Sequence, residues 1–137
     1  MIVADTNLVA QLILRLDITE SAQEVYRRDP AWLLPELWRH EFLNVLASYN
    51  RFDRVPYAKL LAAWTTAGSL FDRSTRQVDM PQALRIAGER NISAYDAQFV
   101  ALAQTHRVPL ITHDRRLLRA APETAVTARQ YLESGRR

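Results

Sequence analysis

The chain predicts an α/β fold, a parallel sheet of four or five strands flanked by helices, with a helical arm. Two observations point there. Apolar runs short enough to be buried strands alternate with helical segments at both ends of the 137 residues. In the middle, helical segments outnumber strands, so the arm is expected there.

Each element has a local reason. "MIVA" reads as a buried first strand, interrupted by Asp5. Thr6 is expected to cap a helix over 7–15. Thr19 and Ser21 open a second helix, with capping-box spacing from Ser21 to Glu24, and Asp29-Pro30 ends it. "AWLLP" is a short buried strand. Pro35 is expected in the first turn of a helix through "PELWRHEFLNVLASYN". A helix after Pro56 is expected to end near Gly68. The stretch "SLFDRSTRQVD" shows no readable periodicity. Asp79 starts a helix that runs to Gly88 or Arg90. Ser93 caps the helix "NISAYDAQFVALAQTH", and His106 is expected in the loop after it. "RVPLIT" is a strand, "HDRRLLRAA" a short helix, "TAVTA" a last strand and "RQYLES" a closing helical turn.

Composition narrows the function classes. One domain over 1–137 with one core suits this length. There is no cysteine, which excludes a disulfide scaffold, a thiolate metal site and a cysteine nucleophile and fits a cytoplasmic location. No signal peptide or membrane-spanning run is expected, so no membrane partner is either. The formal charge is +3 with a pI of about 9.7, and Lys59 is the single lysine among 18 basic residues. Arginine dominance is compatible with phosphate contacts, and equally with a genome-wide preference for arginine.

Four acids stand in places that need explaining. In an open parallel sheet, ligands bind at the carboxyl ends of strands. Asp5 and Asp114 are expected at two such ends, on adjacent strands. Glu41 falls within the apolar stripe Trp38, Phe42, Val45 and Tyr49, where an acid needs a partner. Asp96 lies three residues after Ser93, on a face continued by Val100 and Ala103. Each has an ordinary structural explanation. Asp5 and Asp114 suit helix caps, Asp96 a capping box, and Glu41 a buried ion pair with an arginine. Together at one end of a sheet, four carboxylates repel one another unless a cation neutralises them. All-oxygen ligands suit Mg²⁺ or Mn²⁺, the usual apparatus of phosphoryl chemistry, in which one or two metals activate water.

The succession "VADTN", "HEFLNVL", "SAYDAQFVALAQ", "PLITHD" resembles a PIN domain over nearly the whole chain, and most of all the VapC-like toxins of toxin–antitoxin pairs. The resemblance implies a PIN-like fold and a Mg²⁺- or Mn²⁺-dependent endoribonuclease that uses a metal-activated water. It implies a homodimer, and a cognate antitoxin as possible partner. It assigns metal-binding and catalytic roles to Asp5, Glu41, Asp96 and Asp114, with Thr6, Asn7 and Thr112 supporting them.

Arg115, Arg116 and Arg119 are candidate contacts to the RNA backbone, with a solvated helix face as the alternative. His40 and His113 each adjoin a proposed ligand but are expected to be solvated or near phosphate. Trp32, Trp38 and Trp64 are expected in the core or a dimer contact. Tyr49, Phe52, Tyr57, Leu60, Leu61 and Trp64 offer more apolar surface than an arm hides in a small monomer, and a twofold dimer would cover it. Other acid-bearing α/β folds fit less well. A receiver domain needs a late lysine, a haloacid-dehalogenase-type phosphatase needs an acid where Asn7 stands, and a Rossmann or P-loop binder needs a glycine-rich turn. The remaining alternative is a non-catalytic RNA-binding or scaffold domain on the same fold.

Overall fold

The computed structural model describes residues 1–15 and 19–135. Five parallel strands form one sheet in the order β3-β2-β1-β4-β5. They are β1 (Ile2–Ala4), β2 (Trp32–Pro35), β3 (Thr75–Arg76), β4 (Leu110–Ile111) and β5 (Ala125–Val126). The helices are α1 (Thr6–Leu14), α2 (Thr19–Arg28), α3 (Trp38–Asp53), α4 (Tyr57–Phe71), α5 (Met80–Arg90), α6 (Ala94–His106), α7 (Arg115–Ala120) and α8 (Ala128–Ser134). The α/β class, the parallel sheet and the helical flanks are as the sequence predicts, with five strands.

The strands are apolar on both sides because both faces are covered. Ile2, Ala4, Trp32, Leu34 and Ile111 enter a core built with α1 to α4 and α8. Val3, Leu33 and Leu110 alternate with them into a second core under α5, α6 and α7. The first core is tied to the sheet edge by aromatic rings. Trp32 and Phe71 stack at 5.5 Å, and Tyr26 and Trp38 meet Phe71 edge-on. Such pairs add roughly 0.5–1.5 kcal/mol each beyond their buried area. The Trp38 indole N–H donates to Thr75 Oγ1 at 2.9 Å, which fixes β3 against the start of α3.

Several expected boundaries move. Thr6 lies inside α1, whose N-cap is Asp5. Ser21 and Glu24 both lie inside α2, which begins at Thr19. Pro35 closes β2, and α3 begins three residues later at Trp38. Gly68 is interior to α4, which continues to Phe71. His106 is the last residue of α6. The unreadable stretch holds a single 3₁₀ turn (Asp72–Ser74) and the edge strand β3.

The chain leaves β1 for β2 and β3 on one side and later returns to β4 on the other. β1 and β4 are neighbours, paired Val3 to Leu110 and Ala4 to Ile111. That reversal is a topological switch point, and it opens a crevice beyond the carboxyl ends of β1 and β4. No helix among the described residues is long and apolar enough to cross a membrane.

Candidate active site

Asp5 follows β1 directly, and its backbone N–H donates to the Ile111 carbonyl at 3.1 Å, extending the β1–β4 ladder to the crevice. Its carbonyl accepts the first helical bonds of α1, while its carboxylate makes no side-chain cap. Instead Asp5 Oδ2 accepts from the Thr112 hydroxyl at 2.7 Å. Thr112 is completely buried, and its Oγ1 also accepts from the Asp114 backbone N–H at 3.0 Å. One hydroxyl thus ties together the ends of β1 and β4.

Glu41 arrives from the other side on α3. Its Oε1 accepts from the buried Thr6 hydroxyl at 2.7 Å. The partner it needs on the apolar face is therefore a threonine rather than an arginine, so the ion-pair alternative falls away. Asp96 is in the first turn of α6, where its backbone N–H donates to Ser93 Oγ at 3.0 Å. Asp114 does act as a cap. Its Oδ1 accepts from the backbone N–H groups of Arg116 and Leu117 at 2.8 and 3.4 Å. In Asp5, Glu41 and Asp114, these hydrogen bonds fall on a single carboxylate oxygen.

All four acids line one cleft, together with Thr6, Asn7, Asn44 and Val45. Four separate elements converge there: the β1 tip, α3, the start of α6 and the β4–α7 connection. Burial raises the pKa of Asp5 above the ordinary carboxylate value, against the pull of the Thr112 hydroxyl and the nearby Asn7 N–H, and the charges of Asp96 and Asp114 raise it further. Glu41 is raised by burial and by Asp5 and Asp96, against its Thr6 hydrogen bond. Asp96 is raised by burial and by Asp114, with Ser93 and the Arg116 charge pulling the other way. These acids therefore feel one another, and their charged forms are disfavoured.

Among the described residues, no three carboxylates or imidazoles stand close enough together to make a ready-formed cation cage. The donor set nevertheless fits a hard divalent cation. It is all oxygen, it gathers four carboxyl groups, and its members are held by hydroxyls and backbone rather than by arginines.

The other expected residues divide. Asn7 lines the cleft, and Arg116 acts on Asp96. Arg115, Arg116 and Arg119 are all exposed on α7, and none of them lines the cleft. His40 is exposed, and His113 lines a neighbouring hollow. Trp32 and Trp38 are core residues, and half-buried Trp64 stacks on Phe42 at 6.2 Å. Sequence reasoning missed Asn44. It stands three residues after Glu41 on α3, a spacing that puts both on one face.

The sequence matches the PIN domain family over residues 2–123. The chain belongs to that family. Comparison with curated proteins gives no match. Among solved structures, PAE2754 from Pyrobaculum aerophilum superposes with a TM-score of 0.74 at 22% identity, covering 96% of this chain and 86% of that one. A chain of a toxin–antitoxin complex from Klebsiella pneumoniae superposes with a TM-score of 0.68 at 18% identity, covering 93% of this chain and 98% of that one. At these identities the two structures show that this chain shares their fold. The family boundary at residue 123 leaves β5 and α8 outside the match. Both belong to the same cores: Ala125 packs with the second and Ala128 with the first.

Proposed function

We propose that this PIN domain is an endoribonuclease dependent on Mg²⁺ or Mn²⁺, with Asp5, Glu41, Asp96 and Asp114 as the cation-binding and catalytic carboxylates. The observation that carries this is the convergence of four acids from four elements on one cleft at the sheet's switch point. Three of them have raised pKa values. A fold using these acids only as helix caps has no need to bring them together. Only Asp114 makes the carboxylate-to-backbone bonds of a cap.

Bound among these carboxylates, Mg²⁺ or Mn²⁺ supplies Lewis acidity toward a phosphodiester and makes water a competent nucleophile at neutral pH. The chain's own contribution is positioning. Thr112 orients Asp5, Thr6 orients Glu41, and both threonines are themselves fixed by burial. Holding ligands by buried hydroxyls lowers the reorganisation needed when charge develops. Arg116, whose charge acts on Asp96, and Arg115 and Arg119 on the same helix are the proposed contacts to the RNA backbone.

The biological role we propose is that of a toxin paired with an antitoxin protein. The likeness to a chain from a toxin–antitoxin complex supports it. We further propose a homodimer through α3 and α4. Leu43, Leu46, Ala47, Tyr57, Leu60, Leu61 and Trp64 line an apolar groove between these helices; Tyr57 is 71% exposed, and Phe52, near the end of α3, is 73% exposed.

The test is cleavage of RNA by the purified protein with Mg²⁺, with Mn²⁺ and with excess EDTA, beside the Asp5→Asn variant. Metal-dependent cleavage lost in the variant is expected. RNA binding without cleavage in any metal would favour the non-catalytic alternative, and full cleavage in EDTA would remove the cation from the reaction.

A further inference from the structure

On the β2–β3 side of the acid cleft, the carboxyl edge of the sheet carries another hollow, of about 270 Å³. Glu36 follows β2, Gln77 and Val78 follow β3, Met80 opens α5, and Gln98 comes from α6, two residues after Asp96. Strand register fixes how far this hollow lies from the acids. Val3 is level with Leu33, so by continuation Asp5 is level with Pro35, and Pro35 is paired with Arg76. Glu36 and Gln77 therefore stand one residue beyond the level of Asp5, on the next strand and the one after. Neighbouring strands are about 4.8 Å apart, which puts these two backbone positions roughly 5–10 Å from that of Asp5. The start of α6 reaches both places, with Asp96 in the cleft and Gln98 in the hollow.

We infer that this hollow receives a guanine base of the RNA, about one or two nucleotides from the scissile phosphate, and gives the nuclease a guanine preference. The inference rests on the nuclease reading above and names the specificity subsite of that same site.

The polar groups of the hollow are uncommitted. Among the described residues, none makes a hydrogen bond or ion pair with the Glu36 carboxylate or with the Gln77 and Gln98 carboxamides. An ionised carboxylate only accepts, through two oxygens side by side. Of the RNA bases, guanine alone offers two adjacent donors, N1–H and the N2 amino group, on its Watson–Crick edge, which unpaired RNA leaves open. Adenine, cytosine and uracil each set an acceptor beside the donor, and that acceptor would face the carboxylate repulsively. The two carboxamides supply N–H donors for guanine O6. Val78 and Met80, the latter 57% exposed, give the ring an apolar face, and a thioether packs favourably against an aromatic ring. Neither arginine nor lysine lines the hollow, so a phosphate group finds no positive charge there. The size suits one base, slightly below the roughly 300–1,000 Å³ of sites for larger ligands.

The test begins with a randomised single-stranded RNA, cleaved with Mg²⁺ or Mn²⁺ and mapped by sequencing the product ends. The wild type is expected to enrich guanine at one position within about two nucleotides of the scissile bond. In a defined RNA, adenine at that position should lower kcat/KM roughly 5- to 150-fold, the range of one bidentate base contact. Inosine, which differs from guanosine only in lacking the N2 amino group, should fall in between. Glu36→Gln should bring the three RNAs within about twofold of one another, a bound set by the loss of that one contact. Glu36 is exposed and unpaired, so the variant should fold as the wild type does, which thermal melts check. A further measurement needs no cleavage. In protein carrying isotopically labelled glutamine, guanosine monophosphate should shift the side-chain amide resonances of Gln77 and Gln98, adenosine monophosphate should not, and Glu36→Gln should abolish the response. RNA cleavage without base preference, or with a preference that Glu36→Gln leaves unchanged, would overturn the subsite and leave the nuclease intact. That is also the result if a protein partner covers the hollow. If the wild type cleaves no RNA, the nuclease reading falls by itself and the mononucleotide titration decides the hollow. A guanine-selective response lost in Glu36→Gln would retain it as a base site, and no response would overturn it as well.

Discussion

Along α3, Glu41, Asn44 and Val45 line the acid cleft, whereas Leu43, Leu46, Ala47 and Asn50 line the apolar groove facing α4. One helix thus serves two surfaces whose costs differ in kind. The cleft gathers carboxylates that burial and mutual repulsion push toward protonation, and hydroxyls hold them in place. The groove leaves Leu43 54% and Leu61 47% exposed, and its cost is apolar surface left in water. Neither arrangement serves the stability of the isolated chain. The proposed function gives each a complementary partner, a cation and a polyanion at the cleft and an apolar protein face at the groove. If so, the two surfaces should respond to different perturbations.

The largest expected effect is at the cleft, in Asp5→Asn. RNA cleavage should fall by at least about a hundredfold, since changes to groups that merely support metal ligands already cost roughly 10- to 100-fold. The metal-free variant should nevertheless be as stable as the wild type or more so. Like charges a few ångströms apart at an effective dielectric near 20 repel by roughly 1–3 kcal/mol, and the amide removes part of that. Mg²⁺ should then raise the melting temperature of the wild type more than that of the variant. The pH dependence has a definite sign. Asp5, Glu41 and Asp96 have folded pKa values above their ordinary 3.8, 4.5 and 3.8. In that interval the folded state binds more protons than the unfolded one. Their contribution to stability is therefore complete below these ordinary values and is lost as pH rises through the raised ones. Without metal, melts of the wild type should show this loss, and Asp5→Asn should show less of it. An identical pH profile in both proteins, with an unchanged Mg²⁺ shift, would return Asp5 to the role of a backbone cap.

Thr112→Val sharpens the same surface at lower amplitude. The hydroxyl is completely buried, donates to Asp5 and accepts from the Asp114 N–H. Valine keeps the shape and leaves both partners short of a hydrogen bond. Denaturant unfolding should show a loss of about 1–3 kcal/mol. Cleavage should fall by roughly 10- to 100-fold because Asp5 loses its orientation. A variant with wild-type activity would show that Asp5 needs no such support.

The two surfaces also differed in how far they could be read from sequence. All four acids were legible, because a carboxylate after an apolar run or within an apolar stripe is conspicuous, and they do share one cleft. Their means of support was only half legible. The family resemblance marks Thr6 and Thr112 as supporting residues, while the local sequence pattern offers Thr6 as the α1 cap. The Thr6–Glu41 bond joins residues 35 apart in sequence, and no local pattern shows such a pairing. Helix ends were the weakest part. Glycine is the usual stop signal, yet the left-handed residues after α1, α3, α5 and α6 are Arg15, Arg54, Asn91 and Arg107. Gly68, expected to end α4, lies within it, so glycine does not mark that stop. The edge strand β3 was illegible because two residues cannot display a period; it is held by the Trp38–Thr75 bond and by pairing with β2.

On the groove, Leu61→Glu tests the apolar partner directly. A charge placed among Leu43, Leu60 and Trp64 faces burial at the proposed dimer contact. Light scattering at micromolar concentration should show the mass fall from dimer toward monomer, with at least about a tenfold weaker association, equivalent to 1.4 kcal/mol. Leu61 already contacts water, so the monomer's own stability should change by under about 0.5 kcal/mol. A wild type that is already monomeric would leave the groove to a different partner protein and remove the homodimer.

The smallest effect separates the two ends of α3 itself. Arg54 caps the helix at φ 52°, ψ 33°, and the N–H groups of Arg54 and Val55 both close on the Tyr49 carbonyl. A left-handed backbone costs a residue with a Cβ about 1–2 kcal/mol, and glycine escapes that cost. Glycine in turn loses more freedom on folding, by roughly 0.5–1 kcal/mol. The difference favours Arg54→Gly by about 0.5 kcal/mol, a shift of about 1–4 °C in melting temperature, since 1 kcal/mol moves a domain of this size by about 2–8 °C. The arm end should tighten, as slower amide exchange at Val55 would report. The cleft lies three turns away along the helix and draws its geometry from Thr6, Thr112 and Ser93, none of which touches this cap. RNA cleavage and the Mg²⁺-dependent melting shift should therefore match the wild type. If stabilising the cap changed either one, α3 would be transmitting strain between its two surfaces, and they could no longer be treated as independent.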